Sequence, residues 1–168
     1  MSHIEIRIAL VLGLFVAGIT PSQAASVPSG LSVIEAQVTK GRAAKTGYTR
    51  AQFGQAWSDV DRNGCDTRND ILKRDLTAEI FKDNTHDCVV LSGTLIDPYS
   101  GETINFVRGN ITSMEVQIDH VVALSNAWQT GAFKLTIKDR TALANDPLNL
   151  LAVKGQLNSQ KGDGDAAT

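Results

Sequence analysis

Four polar residues in the last third of the chain have the types and spacing that could hold a metal ion beside a general base. Asp119 and His120 are adjacent, Asn149 lies inside an apolar run, and Asn158 follows a Lys-Gly pair. A neutral imidazole, with an ordinary pKa of about 6.5, accepts a proton well at neutral pH. Carboxylate and amide oxygens suit Mg²⁺ or Mn²⁺ better than zinc. The candidate base is therefore His120, and the candidate metal ligands are Asp119 and Asn158.

Hydrolysis of a phosphodiester needs both functions, because a base must deprotonate water while positive charge stabilises the phosphorane and the leaving oxygen. Neighbouring residues on a strand point to opposite faces. Asp119 and His120 can therefore act together only if their strand ends or bends there. Each residue also has a plainer interpretation, since His120 fits a core histidine with a satisfied hydrogen bond and Asn149 fits a buried amide that holds a loop.

The elements around these residues follow from local patterns. EVQI alternates polar and apolar residues, which predicts a strand that ends at Asp119 and His120. LNLLAV predicts a second short strand, Lys154-Gly155 a turn, and the residues from about Asn158 onward a helix. A strand, a long loop, a second strand and a helix would form a compact frame for one metal ion.

The upstream chain predicts mostly helices and one hairpin, which makes the fold class α+β. Capping boxes at 32–35 and 49–52 predict two short helices, the second with Phe53 and Trp57 on its buried face. A longer helix is predicted over 67–81, capped by Asp66 or Thr67. Its predicted buried side consists of Ile71, Leu72, Leu76, Ile80 and Phe81. The DPYSG turn predicts a hairpin over 88–109, and short helices follow at 124–132 and 136–144.

The start of the chain has the pattern of an export signal. An apolar run follows Arg7, and Ser22 and Ala24 supply small residues where a signal peptidase cleaves. We therefore expect a signal peptide at 1–24, a helix and linker at 25–47, a domain at 48–168, and a secreted protein without stable membrane association. An uncleaved membrane anchor is the alternative. Cys65 and Cys88 are the two cysteines of the chain, and in an oxidising compartment they predict one disulfide in preference to a zinc site.

Charge alone does not identify a partner. The formal net charge is −2, whereas nucleic-acid-binding proteins are usually basic, but an active site needs only a local positive patch. The candidate phosphate contacts are Arg68, Arg74, Arg140 and Lys161.

The segment DVDRNGCDTRND approximates a calcium-binding EF-hand loop. Its candidate ligands are Asp59, Asp61, Asn63 and Asp70, and it departs from the motif where Asp70 replaces the final Glu and where Asp66 replaces an apolar residue. A polar turn with Asx hydrogen bonds, held by Cys65, is the alternative. Ca²⁺ at this second site is thus a prediction beside the Mg²⁺ or Mn²⁺ site.

Three segments, IDHVVALSNAW, NDPLNLLAV and LNSQKGDGDAA, resemble the HNH endonucleases of the His-Me finger (ββα-metal) superfamily. GCDTRNDIL and SGTLIDPYSGETINF extend the resemblance to secreted HNH nuclease-like proteins of bacteria and fungi, over about residue 48 to the end. The resemblance implies a ββα-metal core with added N-terminal helices and a hairpin. It also implies that Asp119 and Asn158 bind one Mg²⁺ or similar ion, that His120 is the general base, and that Asn149 braces the loop.

The expected function is thus secreted, metal-dependent cleavage of nucleic acid by a monomer, leaving a 5′-phosphate and a 3′-hydroxyl as in the family. Relatives usually continue past the position of Thr168 with a Trp-Leu-Pro-Pro-like segment, so we expect a short helix around Asn158. The alternatives are a secreted calcium-binding domain with an inactive HNH frame, or a cell-envelope structural protein.

Overall fold

The structure is a computed structural model that describes residues 28–37 and 41–165. The chain divides into two compact units, Met1–Thr39 and Lys40–Thr168. The predicted signal peptide lies outside the described residues.

The first unit contains a short helix, α1 (Gly30–Glu35). Its N-cap is Ser29, whose side chain accepts a hydrogen bond from the backbone N–H of Ser32 at 3.2 Å. The predicted capping box at Ser32 is therefore wrong, because the helix begins one turn earlier. The Ser32 hydroxyl instead donates to the Ser29 carbonyl at 2.8 Å and so belongs to the first turn.

The second unit mixes helices with two small antiparallel sheets in the part of the chain that the structure describes. The three-stranded sheet has the order β1 (Leu76–Phe81), β2 (Val90–Ile96), β3 (Thr103–Val107), and β4 (Val116–His120) pairs with β5 (Leu150–Lys154). The α-helices of this unit are α2 (Thr67–Asp75), α3 (Leu124–Thr130), α4 (Ile137–Ala144) and α5 (Gly155–Lys161). Short 3₁₀ helices span Arg50–Phe53, Thr112–Met114, Ala132–Lys134 and Pro147–Asn149. The predicted α+β class is confirmed, as are the hairpin and the helices near 124–132 and 136–144.

The predicted helix over 67–81 is wrong in its second half. Asp66 does cap α2, by accepting from the Asn69 N–H at 2.8 Å, but α2 ends at Asp75. Leu76–Phe81 instead forms the edge strand β1, and Ile80, which was expected to be buried, is 61% exposed. Pairing with β2 supplies the backbone hydrogen bonds that a longer helix would have made, and this non-local gain outweighs local helix propensity.

The second capping box also fails to start an α-helix. Thr49 precedes the 3₁₀ helix Arg50–Phe53 but makes no capping hydrogen bond with its side chain. Trp57 lies beyond that helix with a φ of 56°, so it does not extend an aromatic face from Phe53. Its ring stacks instead on the ring of His120.

The strand pair β4–β5 leads directly into α5. Asp119 pairs with Leu151 and His120 with Leu150, so both candidate residues lie where the ladder ends. The predicted turn at Lys154-Gly155 is wrong, because Gly155 is the first residue of α5. A Cβ atom on Gly155 would lie 1.9 Å from the Met114 carbonyl oxygen, so the junction requires glycine for close backbone approach.

Two buried clusters hold these elements. The first packs α2 and the three-stranded sheet against the strand pair and consists of Ile71, Leu72, Leu76, Val90, Leu95, Phe106, Val116, Ile118, Leu150 and Ala152. The second packs α3 and α4 with the 3₁₀ helix and consists of Phe53, Leu124, Ala127, Trp128, Ala132 and Ala144. Asp119 and His120 follow Ile118 of the first cluster and precede Leu124 of the second. The predicted disulfide between Cys65 and Cys88 is present, and it joins the loop before α2 to the loop before β2.

Replacement of Gly155 by alanine should destabilise the protein. The new methyl group would meet a backbone carbonyl that a rotamer change cannot move, so we expect a loss of roughly 1–3 kcal/mol in the free energy of unfolding, as for overpacked sites. Urea denaturation followed by tryptophan fluorescence measures it. Gly41→Ala is the control, because a Cβ there meets nothing within 4 Å. Equal stability of the two variants would show that the Gly155 contact does not constrain the fold.

Candidate active site

Asp119 and His120 line one cleft of about 480 Å³ although they are adjacent on β4. Both residues are buried, at 3% and 7% exposure. The strand ends at His120, and because it ends there the two neighbouring side chains can face the same cleft. The cleft wall consists of Arg50, Trp57, Arg68, Ser113, Met114, Gln117, Ile118, Asp119, His120, Ala123, Leu124, Asn158 and Gly162.

The His120 ring is held from two sides. Its Nε2 lies 2.9 Å from the Ala144 carbonyl oxygen at the end of α4. Because a carbonyl can only accept, Nε2 carries the proton and Nδ1 keeps a lone pair. This contact fixes the tautomer and the orientation of the ring. Trp57 stacks on the ring with centroids 6.0 Å apart and an interplanar angle of 18°.

These surroundings favour a neutral imidazole. Burial lowers the pKa of His120 below its usual value, and the positive charges of Arg50 and Lys161 act in the same direction. The Ala144 carbonyl and Asp119 oppose this shift without reversing it. His120 therefore has a free lone pair at neutral pH, as a general base needs.

Asn149 closes the turn that follows β4. Its Oδ1 accepts from the Val122 N–H at 2.8 Å, and its Nδ2 donates to the Val122 carbonyl at 3.2 Å. The Asn149 backbone carbonyl also accepts from the Val121 N–H at 2.9 Å. Three hydrogen bonds thus fix the chain immediately after His120 to the start of β5.

The Asp119 carboxylate is held by two other elements. Tyr99, in the turn between β2 and β3, donates its hydroxyl to Oδ2 at 2.5 Å. Lys161, the last residue of α5, donates to Oδ1 at 3.1 Å and to the His120 carbonyl at 2.9 Å. Burial and the Asp119 contact raise the pKa of Tyr99, so its hydroxyl stays protonated and remains a donor.

The oxygens at this position fit a hard divalent cation. Asp119 Oδ1 and the His120 carbonyl already converge on one positive charge, the ammonium of Lys161. Asn158 also lines the cleft, where its Nδ2 donates to Gln117 Oε1 at 2.8 Å. Oxygen donors of this kind suit Mg²⁺ or Mn²⁺. Asp119 and Asn158 are the side chains that would hold such an ion.

Of the predicted phosphate contacts, two lie at the cleft and two lie elsewhere. Arg68 lines the cleft with its guanidinium over the Phe106 ring, and Lys161 reaches Asp119 there. Arg74 instead donates to the Pro147 and Leu150 carbonyls, and Arg140 donates to the Gln52 and Leu135 carbonyls, so both guanidinium groups are engaged by backbone.

Three residues at the site were not singled out for it from the sequence: Arg50, Trp57 and Tyr99. Arg50 and Trp57 belong to the segment around the first 3₁₀ helix and line the cleft next to His120. No signal in the sequence set them apart, because Trp57 was assigned to the buried face of a helix and Tyr99 lies inside the predicted DPYSG turn.

The Asp59–Asp70 loop folds around Asn63. Asp59 and Asp61 accept from the Asn63 N–H at 3.1 and 3.2 Å, and the Asn63 amide donates to Asp61 and Asp70. Burial and the neighbouring aspartates raise the pKa of Asp70, although the Asn63 contact opposes this. Within the described residues no group of three or more His, Cys, Asp or Glu side chains is arranged to hold a metal ion. Asx hydrogen bonds organise the loop, and its calcium site stays a prediction.

Comparison with known proteins places the chain in a family. Residues 66–166 match the family described as GmrSD restriction endonucleases, C-terminal domain. An uncharacterized secreted protein of Arthroderma benhamiae is 34% identical over 146 residues, which cover 86% of this chain and 66% of that protein. No solved structure matches the chain significantly.

The family match spans the elements that carry the candidate site. It begins at Asp66, the cap of α2, and includes both sheets together with Asp119, His120, Asn149 and Asn158. None of the helices among the described residues is long and apolar enough to cross a membrane. Because the match covers more than half of its length, this chain belongs to the family of GmrSD restriction endonuclease C-terminal domains.

Proposed function

We propose that the chain is a secreted, metal-dependent endonuclease of the HNH type that hydrolyses phosphodiester bonds in nucleic acid. The observation that carries the proposal is the pairing, at the end of β4, of a neutral histidine with a buried carboxylate on one cleft. The β4–β5–α5 order supports a ββα-metal core, with Asp119 on the first strand and Asn158 on the helix.

His120 is the general base in this proposal. Its Nδ1 removes a proton from the attacking water while the water oxygen forms a bond to phosphorus. The bond from phosphorus to the 3′ oxygen breaks, and that oxygen leaves with a proton from solvent, which gives a 5′-phosphate and a 3′-hydroxyl. The Ala144 carbonyl keeps the other ring nitrogen protonated throughout, so the ring stays oriented.

Positive charge at the cleft supports a phosphate substrate. Arg50 and Arg68 line it together with His120, although the whole chain has a net charge of −2. A bound Mg²⁺ or Mn²⁺, held by Asp119 and Asn158, would supply positive charge at the phosphate and the leaving oxygen. Arg50 and Arg68 would position the nucleic acid backbone without reading its sequence.

Secretion is supported by independent features. The chain starts with a segment typical of export signals, the disulfide suits an oxidising compartment, and the fungal relative is named a secreted protein. The chain spans 66% of that relative's length, so the activity of the whole relative does not transfer to it directly.

His120→Ala should reduce cleavage of plasmid DNA by roughly 10²–10⁴-fold, the usual contribution of a positioned acid or base. The rate is measured with Mg²⁺ or Mn²⁺ present, and the melting temperature establishes that the variant is folded. His86→Asn is the matched control, because His86 is exposed and its φ of 52° is tolerated by asparagine. Near-normal cleavage by folded His120→Ala protein would rule out this mechanism.

Asp119→Ala should abolish metal-dependent cleavage, whereas Asn158→Ala should raise the metal concentration needed for half-maximal rate. The difference is expected because Asp119 supplies a charged ligand and Asn158 a neutral one. Titration of Mg²⁺ and Mn²⁺ in the cleavage assay measures both effects. Gln156→Ala is the control on the same helix, since Gln156 is exposed. A half-maximal metal concentration unaffected by Asn158→Ala would remove Asn158 from the ligand set.

The lowered pKa of His120 should make folding stability depend on pH. Between the folded pKa and about pH 6.5, the unfolded chain binds a proton at this site that the folded chain does not. The contribution of neutral His120 is therefore complete above that window and is lost as the pH falls through it. Urea denaturation in EDTA should show that His120→Ala costs more stability at pH 7.5 than at pH 5. An equal cost at both pH values would mean that burial does not depress the pKa.

A further inference from the structure

The ammonium of Lys161 occupies a position between two oxygens of the site. It donates to Asp119 Oδ1 at 3.1 Å and to the His120 carbonyl at 2.9 Å. The side chains of Lys161 and Asp119 are only 20% and 4% exposed, so water screens this pair weakly. The ion pair therefore couples the end of α5 to the end of β4.

Tyr99 determines which side of the carboxylate is left for a cation. Its hydroxyl holds Asp119 Oδ2 at 2.5 Å. The turn that carries Tyr99 is anchored by buried Asp97, which accepts from the Ser100 N–H and from the backbone N–H of Lys154, each at 2.8 Å. Because Oδ2 faces a fixed donor, a cation can approach Asp119 through Oδ1, where Lys161 lies.

We propose that Lys161 is the resident counter-ion of Asp119, and that a divalent ion binds Asp119 only by displacing the Lys161 ammonium. The inference rests on the proposed function in one respect, because it takes Asp119 as a metal ligand. It goes further in assigning Lys161 the role of an internal competitor that lowers metal affinity.

The competition follows from electrostatics. A buried carboxylate without a partner is strongly destabilised, so the metal-free protein needs a positive charge at this position. A divalent ion at Oδ1 would repel an ammonium at the same oxygen, so the two cannot share it. Each metal ion that binds must therefore first break the Lys161 contacts.

Lys161 can leave without disturbing the fold. It is the last residue of α5 and is followed by Gly162, which has a φ of 57°. Its four-carbon side chain is flexible, so the ammonium can swing toward solvent while the backbone stays in place. Tyr99 and Asn149 would still hold Asp119 and the following loop.

The test is the affinity of the metal-free chain for Mn²⁺, measured by isothermal titration calorimetry without nucleic acid. Lys161→Met should tighten Mn²⁺ binding by roughly tenfold or more, the equivalent of one hydrogen bond between charged groups. Lys161→Gln, which keeps a polar side chain without the positive charge, should change the affinity in the same direction and replaces Met if that variant folds poorly.

Lys154→Met is the matched control. It removes one positive charge next to α5, but the Lys154 ammonium pairs with Glu102 at 2.7 Å and not with Asp119. Mn²⁺ affinity should therefore change little. If Mn²⁺ affinity rises equally in both lysine variants, the change in net charge explains the effect and the inference is overturned. Unchanged or weaker Mn²⁺ binding in the Lys161 variants would also overturn it.

Two further measurements locate the ion and test the counter-ion role. Adding Asp119→Asn to Lys161→Met should abolish the tighter binding, and its persistence would overturn the inference. In EDTA, Lys161→Met should melt at a lower temperature than the original chain, because Asp119 loses its cation, and Mn²⁺ should raise its melting temperature by more. An unchanged melting temperature in EDTA would contradict the counter-ion role.

The inference and the proposed function fail separately. If the original chain cleaves plasmid DNA but Lys161→Met binds Mn²⁺ no more tightly, the competitor role is wrong and the nuclease stands. If the original chain does not cleave DNA but Lys161→Met binds Mn²⁺ more tightly through Asp119, the competitor role stands and the nuclease proposal is wrong.

Discussion

The buried charge of Asp119 is the constraint on which the arrangement of this site depends. A carboxylate at 3% exposure must be paired and hydrogen-bonded, or its burial would oppose folding. The partners come from distant parts of the chain, Tyr99 from the β2–β3 turn and Lys161 from the end of α5. The hairpin is therefore more than an addition to the strand pair, because it supplies one of the two groups that hold the carboxylate.

A second buried carboxylate, Asp97, is also held by hydrogen bonds, and it lies in the turn that carries Tyr99. Burial alone would raise its pKa, but hydrogen bonds from Ser100 and from the backbone N–H of Lys154 reverse the effect and lower it. The Lys154 contact ties the hairpin turn to the last residue of β5, immediately before α5 begins. Tyr99 thus reaches Asp119 from a turn that is itself attached to the strand pair.

Local patterns in the sequence predicted the elements of the site but not the contacts between them. The alternation of EVQI and the apolar run after Asn149 were enough for β4 and β5, and Asp66 was found as a helix cap. Residues 76–81 have a helical pattern, yet they form β1 because β2 offers an edge, which no local window contains. Lys154-Gly155 looks like a turn from local sequence, but the glycine is needed because the Met114 carbonyl packs against it. That contact is distant in sequence, so no local pattern shows it. Tyr99 and Trp57 were missed for the same reason.

Two neighbouring residues of the site have different surroundings. Asp119 faces a hydroxyl and an ammonium, which stabilise its negative charge. His120, one residue later, faces the Trp57 ring and a backbone carbonyl that needs only one N–H, so burial favours its neutral form. A neutral imidazole and a hydrogen-bonded carboxylate therefore lie side by side on one cleft, and the proposed hydrolysis depends on this arrangement at the end of β4.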